Sequence, residues 1–132
     1  MAGNGILEKD IQKSILEWMG YQKKLFFWRQ NSGARAENYT RKSDGQNSRH
    51  FFRTASVDGI SDILGVWAGL PLAIEVKRPG EKPTENQENF LTRFAEAGGI
   101  SIVAHSLGEV QGSLKKVLEL QEPFRGIYIK NL

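Results

Sequence analysis

A chain of 132 residues, 39% hydrophobic and 25% charged, has the size and composition of one ordered domain with a real core rather than a disordered chain. No run approaches the ~18 consecutive apolar residues of a membrane span, and the first residues lack a charged-then-apolar export pattern. The absence of cysteine excludes a disulfide framework, thiolate metal sites and a cysteine nucleophile. The expectation is a single domain over 1–132 in a small cytoplasmic protein.

The net charge of +3 is too small to indicate a partner, but it is unevenly spread. Between Arg35 and Arg53, five basic residues (Arg35, Arg41, Lys42, Arg49 and Arg53) meet only Glu37 and Asp44. Such a stripe attracts a polyanion such as nucleic acid; it reads equally well as a solvated loop.

In chain order, Ile6–Met19 is predicted to be an amphipathic helix. Leu7, Ile11, Ile15, Trp18 and Met19 share one arc, with Asp10, Lys13 and Glu17 opposite. Gly20 is a plausible stop. Glu8 breaks the pattern by falling inside the apolar arc, where an unpartnered carboxylate is costly. Leu25–Gln30, rich in aromatics, reads as a strand. From Asn31 to Ser56 the chain is polar and nearly patternless, with Arg49–Arg53 as one short strand candidate; an insertion of this length is usually functional or disordered. Asp62–Ala68 and Leu72–Lys77 read as a hairpin turned by Gly69-Leu70-Pro71. Thr84–Ala97 is a helix opened by a Thr84/Gln87 capping box, closed by Gly98-Gly99, and buried through Leu91, Phe94 and Ala95. Ile100–Ala104 is a buried strand. Ser106 and Glu109 open a last helix, with Leu107, Val110, Leu114, Val117 and Leu118 on one face, and Gly126–Lys130 is an edge strand. The order αβββαβα describes an α/β sandwich, a mixed sheet flanked by helices.

Chemistry-bearing residues gather at the hairpin. Alternation along Leu72–Lys77 puts Ile74 and Val76 on one face and Glu75 and Lys77 on the other. If residues 68 and 71 oppose each other, Asp62 lies across from Lys77 and ~7–8 Å diagonally from Glu75; a one-residue slip would turn Asp62 away. Two converging carboxylates can share Mg2+ or Mn2+, which keeps waters for chemistry and lowers the pKa of one of them. Lys77 beside them could orient the hydroxide or touch the scissile phosphate. Each residue also has a plain structural reading: Asp62 as a turn cap, Glu75 and Lys77 as a solvated pair, and Gln87 as a helix cap.

Taken together, Trp28–Ser32, Gly59–Gly65 with Asp62, Ile74–Gly80 with Glu75 and Lys77, Thr84–Gln87 and Gly98–Ile100 resemble a stand-alone VRR-NUC nuclease of the PD-(D/E)XK superfamily, over roughly residues 6–120. The resemblance implies a restriction-endonuclease-like αβββαβ core. It makes Asp62 and Glu75 metal ligands together with the Val76 carbonyl, Lys77 the catalytic lysine, Glu8 the acid that completes the site, and Gln87 a glutamine near the metal. The family takes its name from Val-Arg-Arg, where this chain has Val76-Lys77-Arg78, the superfamily's commoner lysine. Short members resemble Holliday-junction resolvases acting as homodimers, which implies a DNA endonuclease selective for branched DNA. Arg35, Arg41, Lys42, Arg49, Arg53, Arg78 and Lys82 are the candidate phosphate contacts. The alternatives are a flap, nicking or restriction-type nuclease, or a catalytically silent DNA-binding module. Trp18, Trp28, Trp67 and His105 read as structural residues.

Overall fold

The description below is of a computed structural model, which describes residues 5–30, 34–40, 47–53, 57–120 and 126–131, with 34–40 and 47–53 by backbone alone. Ten elements follow one another: α1 (Glu8–Met19), β1 (Leu25–Arg29), β2 (Ala34–Thr40), β3 (Asn47–Arg53), β4 (Ile63–Trp67), β5 (Leu70–Val76), α2 (Glu85–Glu96), β6 (Ile100–Ala104), α3 (Leu107–Glu119) and β7 (Ile127–Ile129). Five strands form the main sheet in the order β1-β4-β5-β6-β7, and β2-β3 is a separate antiparallel ribbon. The β1–β4 and β4–β5 pairs are antiparallel, whereas β5–β6 and β6–β7 are parallel. This mixed sheet with helices on both faces is an α/β fold with a restriction-endonuclease-like core.

Period-2 alternation divides the sheet into two apolar layers. Leu72, Ile74 and Val76 of β5 join Ile11, Ile15 and Met19 of α1 and Val110, Leu114 and Val117 of α3 in the larger one. Ala73 of β5 faces the other way and packs with Leu91 of α2 and Val103 of β6, with Leu64, Phe90, Phe94 and Tyr128 around them. β6 is buried along its whole length, as expected for a strand paired on both sides and covered on both faces. α2 is opened by the reciprocal Thr84/Gln87 capping box.

Several expectations are corrected. α1 starts at Glu8, because the Leu7 backbone is extended (φ −80, ψ 143), and Leu7 is a half-exposed N-cap with no side-chain hydrogen bond. Gly20 ends α1 in the right-handed region (φ −62), without a left-handed cap. The hairpin turn is Ala68-Gly69, both with positive φ (48° and 88°), the two-residue geometry whose twist matches flanking strands. Leu70 and Pro71 therefore belong to β5. Pro71 sits ahead of the β6 ladder, which begins at Leu72↔Ile100, so its missing N–H leaves no gap on that side. The segment expected to be patternless contains β2 as well as β3. Leu118 is 68% exposed and Trp28 43% exposed, so neither is a core residue.

Candidate active site

Asp62 enters from the segment that leads into β4. The Gln30 N–H donates to the Asp62 carbonyl at 2.7 Å, and the Val76 N–H donates to Asp62 Oδ2 at 2.9 Å. The side chain thus continues the ladder past the last paired residues, Ile63↔Ile74, and pins Asp62 to the end of β5. Extending that register by one pair sets Asp62 directly opposite Glu75, where Cβ atoms lie ~5 Å apart. The turn chemistry shifts the pairing by two residues from the diagonal arrangement expected from sequence, and an even shift leaves Asp62 on the same face. Upstream, Gly59 has φ +72, and any Cβ there would run into the Asn86 carbonyl in the first turn of α2. Glycine is required at this approach, and it locks the segment that carries Asp62 against α2.

Glu75 is 1% exposed, and its Oε1 has no hydrogen-bond partner. Oε2 lies 4.0 Å from Lys77 Nζ. Burial, then the Asp62 charge and a proton shared with Asp62, push Glu75 from 4.5 up to about 9 against the pull of Lys77. A value near 9 keeps this carboxyl protonated at neutral pH in the metal-free protein. Glu8 is also raised, first by burial and then by Asp62, with Lys77 and Arg78 opposing. These mutual interactions place the N-terminus of α1 at the same end of the sheet. Among the described residues, no group of three or more His, Cys, Asp or Glu side chains gathers closely enough to hold a metal ion, so Glu8 stands beside the Asp62–Glu75 pair rather than in a three-carboxylate cluster with it.

A hard divalent cation suits these donors. Magnesium commonly takes only one or two carboxylates and keeps several waters, and a buried carboxylate oxygen without a donor is the kind of group a cation satisfies. The holders would be Asp62, Glu75 and the Val76 carbonyl.

The other expected site residues are placed as follows. The Gln87 Oε1 accepts from the Thr84 N–H at 2.9 Å, while the Gln87 N–H donates to Thr84 Oγ1 at 3.3 Å; its amide oxygen serves the helix cap. Arg78 and Lys82 are exposed on the strap that joins β5 to α2, and Arg78 Nε lies 3.6 Å from Glu81 Oε1. Arg41 and Lys42 lie outside the described residues. Arg35 on β2 and Arg49 and Arg53 on β3 are placed by backbone register only, with Arg49 across from Asn38 and Arg53 across from Ala34.

One residue gains a role that sequence reasoning missed. His105 stands between acceptors: Nδ1 is 2.9 Å from Glu109 Oε1 and Nε2 is 2.9 Å from the Glu81 carbonyl. Burial pulls its pKa down, but the bonds to Glu109 and Glu81 outweigh it and leave the imidazole raised. The ring ties the strap carrying Arg78 and Lys82 to the start of α3. A histidine after a buried strand offers no sequence signal for this, since its partners are 4 and 24 residues away.

The sequence model of the VRR-NUC domain matches residues 4–107, a span that contains α1, Asp62, Glu75, Lys77 and the strap. α3 and β7 follow it and pack on the same sheet. No curated protein and no solved structure matches the chain.

Proposed function

The chain belongs to the VRR-NUC domain family, a nuclease family, and on that premise we propose that it is a Mg2+- or Mn2+-dependent endonuclease that hydrolyses phosphodiester bonds of branched DNA, such as a four-way Holliday junction, as a homodimer. The observation that carries the metal-dependent chemistry is the buried Glu75 carboxyl facing Asp62 with one oxygen lacking a donor. Asp62, Glu75 and the Val76 carbonyl would hold the ion, which when bound would supply an acidified water and offset charge on the phosphate.

The chain's own groups do the rest. Asp62 is kept aimed by the Val76 N–H. Glu75, once its proton has left, contributes a full negative charge in a dry site, where electrostatic interactions are strong. Lys77, only 12% exposed at 4.0 Å from Glu75, keeps the attacking water oriented and neutralises the phosphate oxygen nearest to it. Glu8 adds negative potential at the rim and receives protons released during turnover. Gln87, through its cap, holds the first turn of α2, which opens the helix beside the site. Arg78 and Lys82, exposed on the strap, and Arg35, Arg41, Lys42, Arg49 and Arg53 contact backbone phosphates and position the duplex without reading its sequence.

The preference for branched DNA and the dimer rest on the likeness to short resolvase-like members. A two-fold dimer presents two equivalent sites to two equivalent strands. The test is cleavage of labelled four-way junctions, flaps and linear duplex in identical salt, with Mg2+ or Mn2+ titrated. Paired incisions in the junction, lost in Asp62→Ala, Glu75→Ala and Lys77→Ala proteins that still fold and bind DNA, are the expected result. Full cleavage by Glu75→Ala would end the proposal; equal cutting of all three DNAs would remove the branched-DNA preference while keeping the nuclease.

A further inference from the structure

α2 packs over β5, β6 and β7 and leaves part of the same sheet face bare. On that bare part, Phe26 and Trp28 of the edge strand β1 stand beside Val66 of β4, at 72%, 43% and 42% exposure. The register settles which face this is. Phe26 pairs with Val66 and Trp28 with Leu64, Leu64 pairs with Ala73, and Ala73 packs under α2. Glu75, two residues beyond Ala73, points to that same side. The aromatic patch and the carboxylate pair therefore lie on the same face of the sheet, with Gln30 between them in the chain: its N–H donates to the Asp62 carbonyl at 2.7 Å.

The patch is ordered rather than incidental. The two rings sit 5.9 Å apart at 51°, and the Trp28 indole N–H donates to Gln30 Oε1 at 3.0 Å. That hydrogen bond fixes the plane of the indole and ties it to the residue that touches the Asp62 backbone. From strand spacing and rise, Trp28 lies about 12 Å from Glu75, two strands across and two residues along. At ~3.4 Å per base along a strand, this is a separation of a few nucleotides.

We infer that Phe26 and Trp28 form a stacking platform for unpaired bases of the DNA strand being cut, a few nucleotides from the scissile phosphate. This rests on the nuclease reading above and adds to it the element that recognises unpaired strand. Bases stack on aromatic rings regardless of sequence, because every base presents a π-face, and a paired duplex keeps its faces covered. Such a platform selects for branched or frayed DNA without base-edge contacts. Charge favours this occupant over a second copy of the chain: Lys23 and Lys24 lead into the strand, and residues 21–30 contain no acid. A two-fold contact through the patch would set these cations against themselves, whereas a polyanion complements them.

The test uses the full chain in EDTA, so that binding is read without cleavage. Fluorescence anisotropy measures affinity for a labelled duplex with a single-stranded arm and for a blunt duplex of equal length. Phe26→Ala and Trp28→Ala are expected to weaken binding of the armed DNA about 5- to 100-fold each and to change blunt-duplex binding less than about twofold. Trp28→Phe, which keeps a ring, is expected to restore most of the loss. Phe26 is 72% exposed, so its truncation tests the idea even if Trp28→Ala folds poorly. Unchanged affinity for the armed DNA in Phe26→Ala overturns the inference, as does an equal loss on both DNAs. A change from dimer to monomer in Phe26→Ala by sedimentation, with DNA affinity intact, assigns the patch to self-association and also overturns it. If these binding differences are seen but the wild-type protein cuts neither of these DNAs nor a four-way junction in Mg2+ or Mn2+, the nuclease reading fails and the platform stands.

Discussion

Replacing Glu75 by glutamine should make the metal-free protein more stable at neutral pH, although it removes a carboxylate that the proposed chemistry needs. Burial and Asp62 raise the folded-state pKa of Glu75 from 4.5 to about 9. A carboxyl raised on folding contributes stability that is fully present below pH 4.5 and is lost as pH climbs toward about 9. Each unit corresponds to ~1.4 kcal/mol, so the metal-free wild type forfeits about 3 kcal/mol at pH 7, a large share of a typical ~5–15 kcal/mol total. Glutamine has the shape of the protonated acid and can donate to Asp62, yet it cannot ionise. Urea unfolding in EDTA, followed by tryptophan fluorescence, should find the two proteins within ~1 kcal/mol at pH 5 and the Gln variant ahead by up to about 3 kcal/mol at pH 7. The gap should widen further at pH 8.5, and Mg2+ or Mn2+ should stabilise only the wild type. Parallel pH profiles for the two proteins would refute the reasoning, because they would mean that Glu75 ionises in the folded state as easily as in the unfolded chain.

Metal binding should release a proton, so the apparent affinity of the wild type for Mn2+ rises up to tenfold per pH unit between pH 6 and 8, measured by calorimetry in buffers of different ionisation enthalpy; a flat profile contradicts a protonated resting Glu75. Gly59→Ala, which forces a Cβ into the Asn86 carbonyl at φ +72, should cost more than ~2 kcal/mol in urea unfolding, and a neutral effect would show that the Asp62 segment is not clamped to α2. Thr84→Ala, which removes the side chain that accepts from Gln87, should cost ~1 kcal/mol while leaving Asp62 and Glu75 in place, as read by unchanged Mn2+ affinity. Neutralising Arg41, Lys42 and Arg49 together should lower the slope of log affinity against log salt by about 3; an unchanged slope assigns that segment to solubility.

Much of this arrangement is legible in the residues, for identifiable reasons. Strict alternation in Leu72–Lys77 can only put Glu75 and Lys77 on one face, and an acid in an otherwise apolar strand demands a partner. Thr84 and Gln87 announce a helix start by spacing alone, and the structure makes both bonds of the box. Where the sequence misleads, geometry beyond neighbouring residues intervenes. Pro71 looks like turn chemistry, but the left-handed backbone at Ala68 and Gly69 makes the tighter turn, and the register moves by two residues. Parity survives an even shift, which is why Asp62 remains on the correct face. Trp28 looks like core by composition; it is exposed because α2 is too far along the sheet to cover β1, a consequence of strand order that no local pattern carries. β2 lacks an apolar alternation, so no local pattern in its residues marks the antiparallel ribbon it forms with β3.

Binding of Mn2+ followed by electron paramagnetic resonance at pH 8 probes the carboxylate pair most directly. Wild-type protein should remove free Mn2+ signal at a site that requires both acids, with affinity reduced at least about 100-fold in Asp62→Ala and in Glu75→Ala and little changed in Arg78→Ala. Equal Mn2+ uptake by wild type and Glu75→Ala would contradict the account, because the buried carboxyl opposite Asp62 would then have no part in seating the ion.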